Sequence, residues 1–333
     1  MRQRSKVYAA VALAAIAAAT AVVGVVLITR SNVPTRSETA KGPPGAPPIA
    51  LDLGVRDDPE ARALRRAAAL YSAGRGAAAA RIFVRYDSLQ ARVGAALAAW
   101  RPDEAARRAV VRHLDAIARA RPRSAFVQLH LGLARLSAGD ARGAFAAWRA
   151  AARRDPDSPS AVEADTLLHP NSPRGLPTFV PGFAPPTGLE RLAPPRQLAA
   201  LAAAARKPDV RAKLLYGVAL QRLERPLSAE REYAAAAALA PNDAEAQVAA
   251  AVGRFEKDHP ERAFSRLGPL VRRFPRAPTV RFHLGLLLLW LGRVDAARTE
   301  LRRARAEGPS TPLGREASSF LSRLEGVRTV RTK

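Results

Sequence analysis

Four columns of residues recur every 34 positions in the C-terminal half of this chain, and this period constrains the fold more than any other feature. Gly217, Ala251 and Gly285 form the first column, and Ala229, Ala263 and Ala297 the second. Tyr233, Leu267 and Leu301 form the third, and Pro241, Pro275 and Pro309 the fourth. A period of this length without insertions marks a stack of like units, each too small to bury its apolar face alone. The spacing within a unit fits two short antiparallel helices joined by a turn. Small residues let the two helices approach closely. A bulky apolar residue four beyond the second small one fills the space between units. Proline closes the unit because it cannot extend the helix before it.

The same internal spacing occurs earlier, in Gly132, Ala144, Trp148, Ala151 and Pro156. A weaker copy lies one period before it (Ala98, Leu114, Ile117, Pro122), and a degenerate unit spans 60–90 with Ala79 and Phe83. The expected architecture is therefore an all-α superhelical solenoid of helix pairs in two blocks, 58–156 and 197–310. A capping helix over 311–325 and a basic tail, 326–333, follow. Ser319 and Ser322 would face the place where a further unit would stack, as a soluble end requires. Composition agrees, since the chain is rich in Ala, the best helix former, and only 5% aromatic, too little for a β-sandwich or barrel.

The N-terminal region reads differently. A basic tail, 1–7, carries Arg2, Arg4 and Lys6. Residues 8–29 contain no charged side chain and are long enough to cross a bilayer as a helix. A cleaved signal peptide is the competing reading, with a small-residue site near Ala17 to Ala21. The most apolar run, 22–28, lies beyond such a site, which favours an uncleaved single-pass anchor. Arg30, Arg36 and Lys41 nearly balance the basic residues before the span, so the preference for an extracytoplasmic body is moderate. Residues 30–57, with Gly-Pro-Pro-Gly-Ala-Pro-Pro at 42–48, are expected to form an extended tether that buries no core.

The repeat columns resemble the tetratricopeptide repeat family, most clearly in His283-Leu284-Gly285, Leu291-Gly292, Ala297, Leu301, Ala304 and Pro309. With the anchor ahead of them, the likeness is to a membrane-anchored bacterial-type member. The family's first-helix Trp is absent, its places held by Gln128, Lys213, Gln247 and Arg281. Leu220, Arg254 and Leu288 stand where the family has an aromatic. The resemblance implies a right-handed superhelix that takes a protein or peptide segment on its concave face. By that analogy Leu214, Val218, Val248, Val252, Phe255, Phe282, Leu286 and Leu289 line the groove. The same residues also fit an ordinary inter-helix core. Family members that grip a terminal carboxylate use Lys, Asn and Arg there, so no carboxylate clamp is expected.

The sequence carries no catalytic constellation. With Cys 0, a thiol nucleophile, a disulfide framework and Cys-ligated metal are excluded. No nucleophile elbow, phosphate-cradling loop, dinucleotide fingerprint or zinc-hydrolase His pair occurs. His130 and His283 sit in near-identical contexts, Leu129-His130-Leu131-Gly132 and Phe282-His283-Leu284-Gly285, which points to a structural role. The expectation is a protein that is not an enzyme, with no cofactor and no metal. The net charge of +25 is spread as short Arg pairs interleaved with Ala, the pattern of solvated helix faces. A nucleic-acid binder would show a denser stripe with stacking aromatics.

Between the blocks, residues 157–196 form a proline-rich insertion, which should exclude regular helix. It carries Phe179, Val180 and Phe183, more aromatic than a solvated linker. Two arrangements fit: residues 177–186 fold over the groove and occupy it, or they cover the end of the first block. The function expected is a non-enzymatic, membrane-anchored scaffold that binds a partner segment. An envelope-assembly helper with chaperone-like binding of exported chains and an electrostatic binder of anionic lipid or nucleic acid are the alternatives. The oligomeric state is left open.

Overall fold

The computed structural model describes residues 45–329, with side chains to 325, and all its regular elements are helical. The expected anchor at 8–29, the basic tail before it and the last residues of the C-terminal tail lie outside the described residues. Among the described residues, no helix is long and apolar enough to cross a membrane. The chain divides at Leu168/His169 into two compact units.

In the first unit, α1 (Pro59–Ser72) pairs with α2 (Gly76–Phe83), α3 (Leu89–Ala98) with α4 (Glu104–Ala120), and α5 (Ala125–Ser137) with α6 (Ala141–Arg154). A single helix, α7 (Pro159–Leu168), packs on α5 and α6. In the second unit, α8 (Pro194–Ala205) leads into α9 (Val210–Arg222) and α10 (Pro226–Leu239). Then come α11 (Ala244–Val252) with α12 (Glu261–Arg273), and α13 (Pro278–Trp290) with α14 (Val294–Glu307), closed by α15 (Pro312–Thr329).

The repeat columns act as their residue types dictate. Gly132, Gly217 and Gly285 sit where the first helix of a pair crosses the second. A Cβ on Gly132 would run into the Trp148 ring, one on Gly217 into Tyr233, and one on Gly285 would lie 2.9 Å from Leu301 Cγ. Ala251 and Leu267 hold the matching places in the middle pair and are buried. Ala144, Ala229, Ala263 and Ala297 are buried too. Pro156, Pro241, Pro275 and Pro309 are exposed after their second helices. The residue before each has left the helical region that a following proline disfavours: Asp155, Ala240, Phe274 and Gly308 have φ between −129° and −152° and ψ between 62° and 77°. In three pairs the turn is closed by a glycine at positive φ, Gly74 (78°), Gly139 (92°) and Gly292 (67°). Glu224 (53°) takes that place between α9 and α10.

Where the family's Trp is missing, polar side chains tie helices together. Lys213 of α9 approaches Glu232 of α10 at 3.6 Å, and Arg281 of α13 meets Glu300 of α14 at 3.1 Å. Gln247 of α11 donates to the Ala237 carbonyl of α10 at 3.0 Å.

Two boundaries depart from expectation. Residues 159–168, assigned to the proline-rich insertion, form helix α7, and α8 starts at Pro194 rather than 197. Their prolines stand at the first helical positions, where no N–H is needed and φ is already helical. The Ser158 hydroxyl caps α7 by accepting from the Ala161 N–H at 3.2 Å. Residues 45–53, assigned to a solvated tether, instead pack on the first unit. Pro47 and Leu53 are buried, and Ala46, Ile49 and Leu51 pack against the core.

Candidate functional site

The first helices of consecutive pairs lie side by side, α9 next to α11 and α11 next to α13. A surface made of repeated helices offers apolar side chains and a few polar ones at fixed intervals. In the second unit an extended segment, 176–183, lies on it. All its hydrogen bonds to the helices run from main-chain N–H groups. Phe179 N–H donates to Gln221 Oε1 of α9 (3.1 Å), and Val180 N–H to His283 Nε2 of α13 (2.9 Å). Gly182 N–H donates to both carboxylate oxygens of Glu245 of α11, at 3.1 Å each.

The Phe179 side chain anchors the segment. It is 2% exposed and joins the core of Leu214, Val218, Val248, Val252 and Phe255. Its ring stacks on His283 (5.1 Å between centroids, 18° between planes) and meets Tyr233 edge-on at 5.6 Å. Val180 packs against the neighbouring core, which includes Phe282, Leu286 and Leu289 together with Phe320 of the cap. Phe183 lies under the Arg211 guanidinium, 5.2 Å from the ring centroid. The segment thus lies on the first helices of the second unit and not on the end of the first block, and it packs on residues predicted to line the groove that also form the inter-helix core. All eight residues predicted to line the groove are buried.

His283 has a defined tautomer. Its Nδ1 lies 2.7 Å from the Thr279 carbonyl, which can only accept, so Nδ1 carries the proton and Nε2 is left to accept. Burial lowers its pKa to about 4, the Thr279 contact opposing, so the ring is neutral near pH 7. Burial raises the Glu245 carboxyl to about 7, with Asp243 adding to the rise while the Gly182 N–H and Arg211 oppose it. Burial also pushes the Tyr233 hydroxyl, which donates to Gln221 Oε1 at 2.6 Å, well above its usual value.

The first unit seats residues 46–53 on the corresponding helices, with one main-chain N–H and two main-chain carbonyls making the contacts. Tyr71 of α1 donates its hydroxyl to the Pro47 carbonyl (2.8 Å). Ala50 N–H donates to His130 Nε2 of α5 (3.1 Å), and Gln90 of α3 donates to the Asp52 carbonyl (3.1 Å). The His130 Nδ1 lies 2.8 Å from the Phe126 carbonyl, which sets the same tautomer as in His283. The two histidines flagged by their shared context therefore do the same work. Gln221, Glu245, Tyr71 and Gln90 escaped the sequence reading, since a lone polar residue on a helix has no signature apart from its partner.

Among the described residues, no group of three or more His, Asp or Glu could hold a metal ion. No protein-family model matches the chain, and no curated protein matches it. Solved structures of tetratricopeptide-repeat proteins are similar to it. The TPR2AB domain of yeast Sti1, in its complex with pHSP90, aligns at 13% identity over 80% of this chain and 98% of its own, with a TM-score of 0.30. Yeast Tom70 aligns at 12% identity over 86% of this chain and 68% of its own, with a TM-score of 0.31. The C-terminal part of a TPR repeat-containing protein from Cytophaga hutchinsonii aligns at 14% identity over 78% and 99%, with a TM-score of 0.27. These TM-scores lie below 0.5, and the helix pairs of this chain stand on their own columns and crossings.

Proposed function

We propose that this chain is a non-enzymatic scaffold of the tetratricopeptide-repeat type, anchored by residues 8–29, that recruits another protein through an extended segment. The observation that carries this reading is the surface of α9, α11 and α13. It seats an extended stretch of chain, gripping main-chain N–H groups with Gln221, Glu245 and His283 and burying one aromatic side chain. Main-chain recognition at fixed points with one deep anchor is how folded proteins take up peptide segments of varied sequence. The uncharged span at 8–29 supports membrane attachment, and the slight excess of positive charge before it, once the terminal amine is counted, supports a body outside the cytoplasm.

Cross-linking in intact membranes followed by purification tests the recruiting role. One defined partner, cross-linked to the first helices of either unit, is expected. Recovery of many unfolded exported chains instead would replace the scaffold with a chaperone-like helper. Alkaline extraction tests the anchor: the protein should stay with the membrane at full length. Release of a form about 20 residues shorter would replace the anchor with a cleaved signal peptide.

A further inference from the structure

The two units match position by position. Tyr71 and Gln221 are each the next-to-last residue of the first helix in the first pair, three before the positive-φ residues Gly74 and Glu224. Gln90 and Glu245 are each the second residue of the first helix in the middle pair, after the capping residues Ser88 and Asp243. His130 and His283 hold one position in the third pair, each two before a crossing glycine. The closing helices match as well: Ser158 caps α7 through Ala161, and Thr311 caps α15 through Gly314. In each unit the extended segment touches the first pair, then the third, then the middle one, at Pro47, Ala50 and Asp52 and at Phe179, Val180 and Gly182.

We propose that the chain is one module present twice, and that each module is a peptide site closed by its own resident segment. The occupant that displaces the resident is an extended, proline-flanked stretch of another protein, with an apolar anchor beside the N–H that meets the histidine. This rests on the recruiting role proposed above and adds a second site, formed by Tyr71, Gln90 and His130.

The chemistry of the resident segments defines the ligand class. Both are rich in proline, which keeps an unbound segment extended and lowers the entropy lost on docking. Both place an N–H on a histidine nitrogen that can only accept. The first and middle contacts separate the two sites, since Tyr71 donates to a carbonyl where Gln221 accepts an N–H. Glu245 requires an N–H two residues after the histidine-bound one, so the second site excludes proline there. A Cβ on Gly182 would displace the Glu245 carboxylate that holds this N–H, so a small residue fits best there. Gln90 instead donates to a carbonyl, which every residue including proline supplies. The second site is therefore the more selective.

A labelled peptide of residues 174–186, titrated into the full chain in detergent, tests this. Phe179→Ser, which weakens the resident anchor, should raise peptide affinity at least tenfold over wild type. Adding His283→Leu should remove that gain, and a peptide carrying Gly182→Pro should bind at least tenfold more weakly. A folded Phe179→Ser protein that binds no better than wild type overturns the proposal, as does a gain that survives His283→Leu. Hydrogen exchange on the wild-type chain needs no variant. The Ala50 and Val180 amides should be protected at least a hundredfold less than the interior amides of α5 and α13. Equal protection would make the segments permanent core. The membrane cross-linking result does not depend on these outcomes, so the scaffold reading and self-closure fail separately.

Discussion

Glu245→Gln should unmask a pH dependence that the wild-type second unit conceals. The neutral amide keeps an oxygen for the Gly182 N–H, so the substitution removes titration while retaining a hydrogen-bond acceptor. His283 has a folded pKa of about 4, below its ordinary 6.5. Its contribution is full above 6.5 and is lost as pH falls toward 4, because the unfolded chain takes the proton first. Glu245 has a folded pKa of about 7, above its ordinary 4.5. Its contribution is full below 4.5 and is lost as pH rises toward 7. Each group shifts by a similar amount, and at about 1.4 kcal/mol per pH unit each is linked to about 3 kcal/mol. Between pH 4.5 and 6.5 the two slopes oppose each other, and the wild-type second unit should change little. In Glu245→Gln the histidine slope is opposed only by Glu316, whose carboxyl burial also raises, with Arg323 opposing, so stability should rise by at most about 2–3 kcal/mol across that window. Trp290 is the one tryptophan of the second unit, beside Trp100 and Trp148 of the first. Urea unfolding followed by Trp290 fluorescence, with Phe at 100 and 148, reads the second unit alone. A Glu245→Gln protein as flat with pH as its parent would refute the reasoning, and so would a fall with rising pH.

Gly285→Trp should force α13 and α14 apart and cost more than about 2 kcal/mol by overpacking; an unchanged thermal midpoint would show that this crossing tolerates bulk. Gly139→Ala places a side chain at φ 92° and should cost about 1 kcal/mol or more, measured by urea unfolding, with no change in helix content. Partner capture by the scaffold should persist at about 0.5 M salt, because it rests on apolar and main-chain contacts. Loss of capture there would return the scattered arginines to the centre of the account.

The pairs were legible in the sequence because their packing needs two extremes of side-chain size at one spacing. A glycine facing a ring, as with Gly217 and Tyr233, leaves a mark that composition cannot blur. Helix α7 was hidden by its own start. Pro156 and Pro159 looked like part of a proline-rich run, yet 160–168 contains no proline and Ser158 supplies the cap. Residues 45–53 were hidden by averaging, since the prolines at 43–48 masked Ile49, Leu51 and Leu53, which face the core. That Phe179 would be buried was readable, because solvated linkers are poor in aromatics, but which surface it would cover was not, and two arrangements stood open. Its hydrogen-bond partners were not readable, because a main-chain N–H is the same at every non-proline residue and only the fold decides which acceptor it meets.

A stack of helix pairs ordinarily unravels from its ends, since each pair touches only the next and nothing ties the first to the last. Here a single extended segment spans all three pairs of each unit. It links residues 80 apart in the sequence through His130 and 103 apart through His283. Such a tie replaces sequential fraying with all-or-none melting, because the last pair cannot detach without breaking the contact that also involves the first and the middle. Lifting the segment would do more than clear a surface. It would leave the three pairs joined only through the core that neighbours share, so the event that clears the surface also removes the one tie between the first pair and the last.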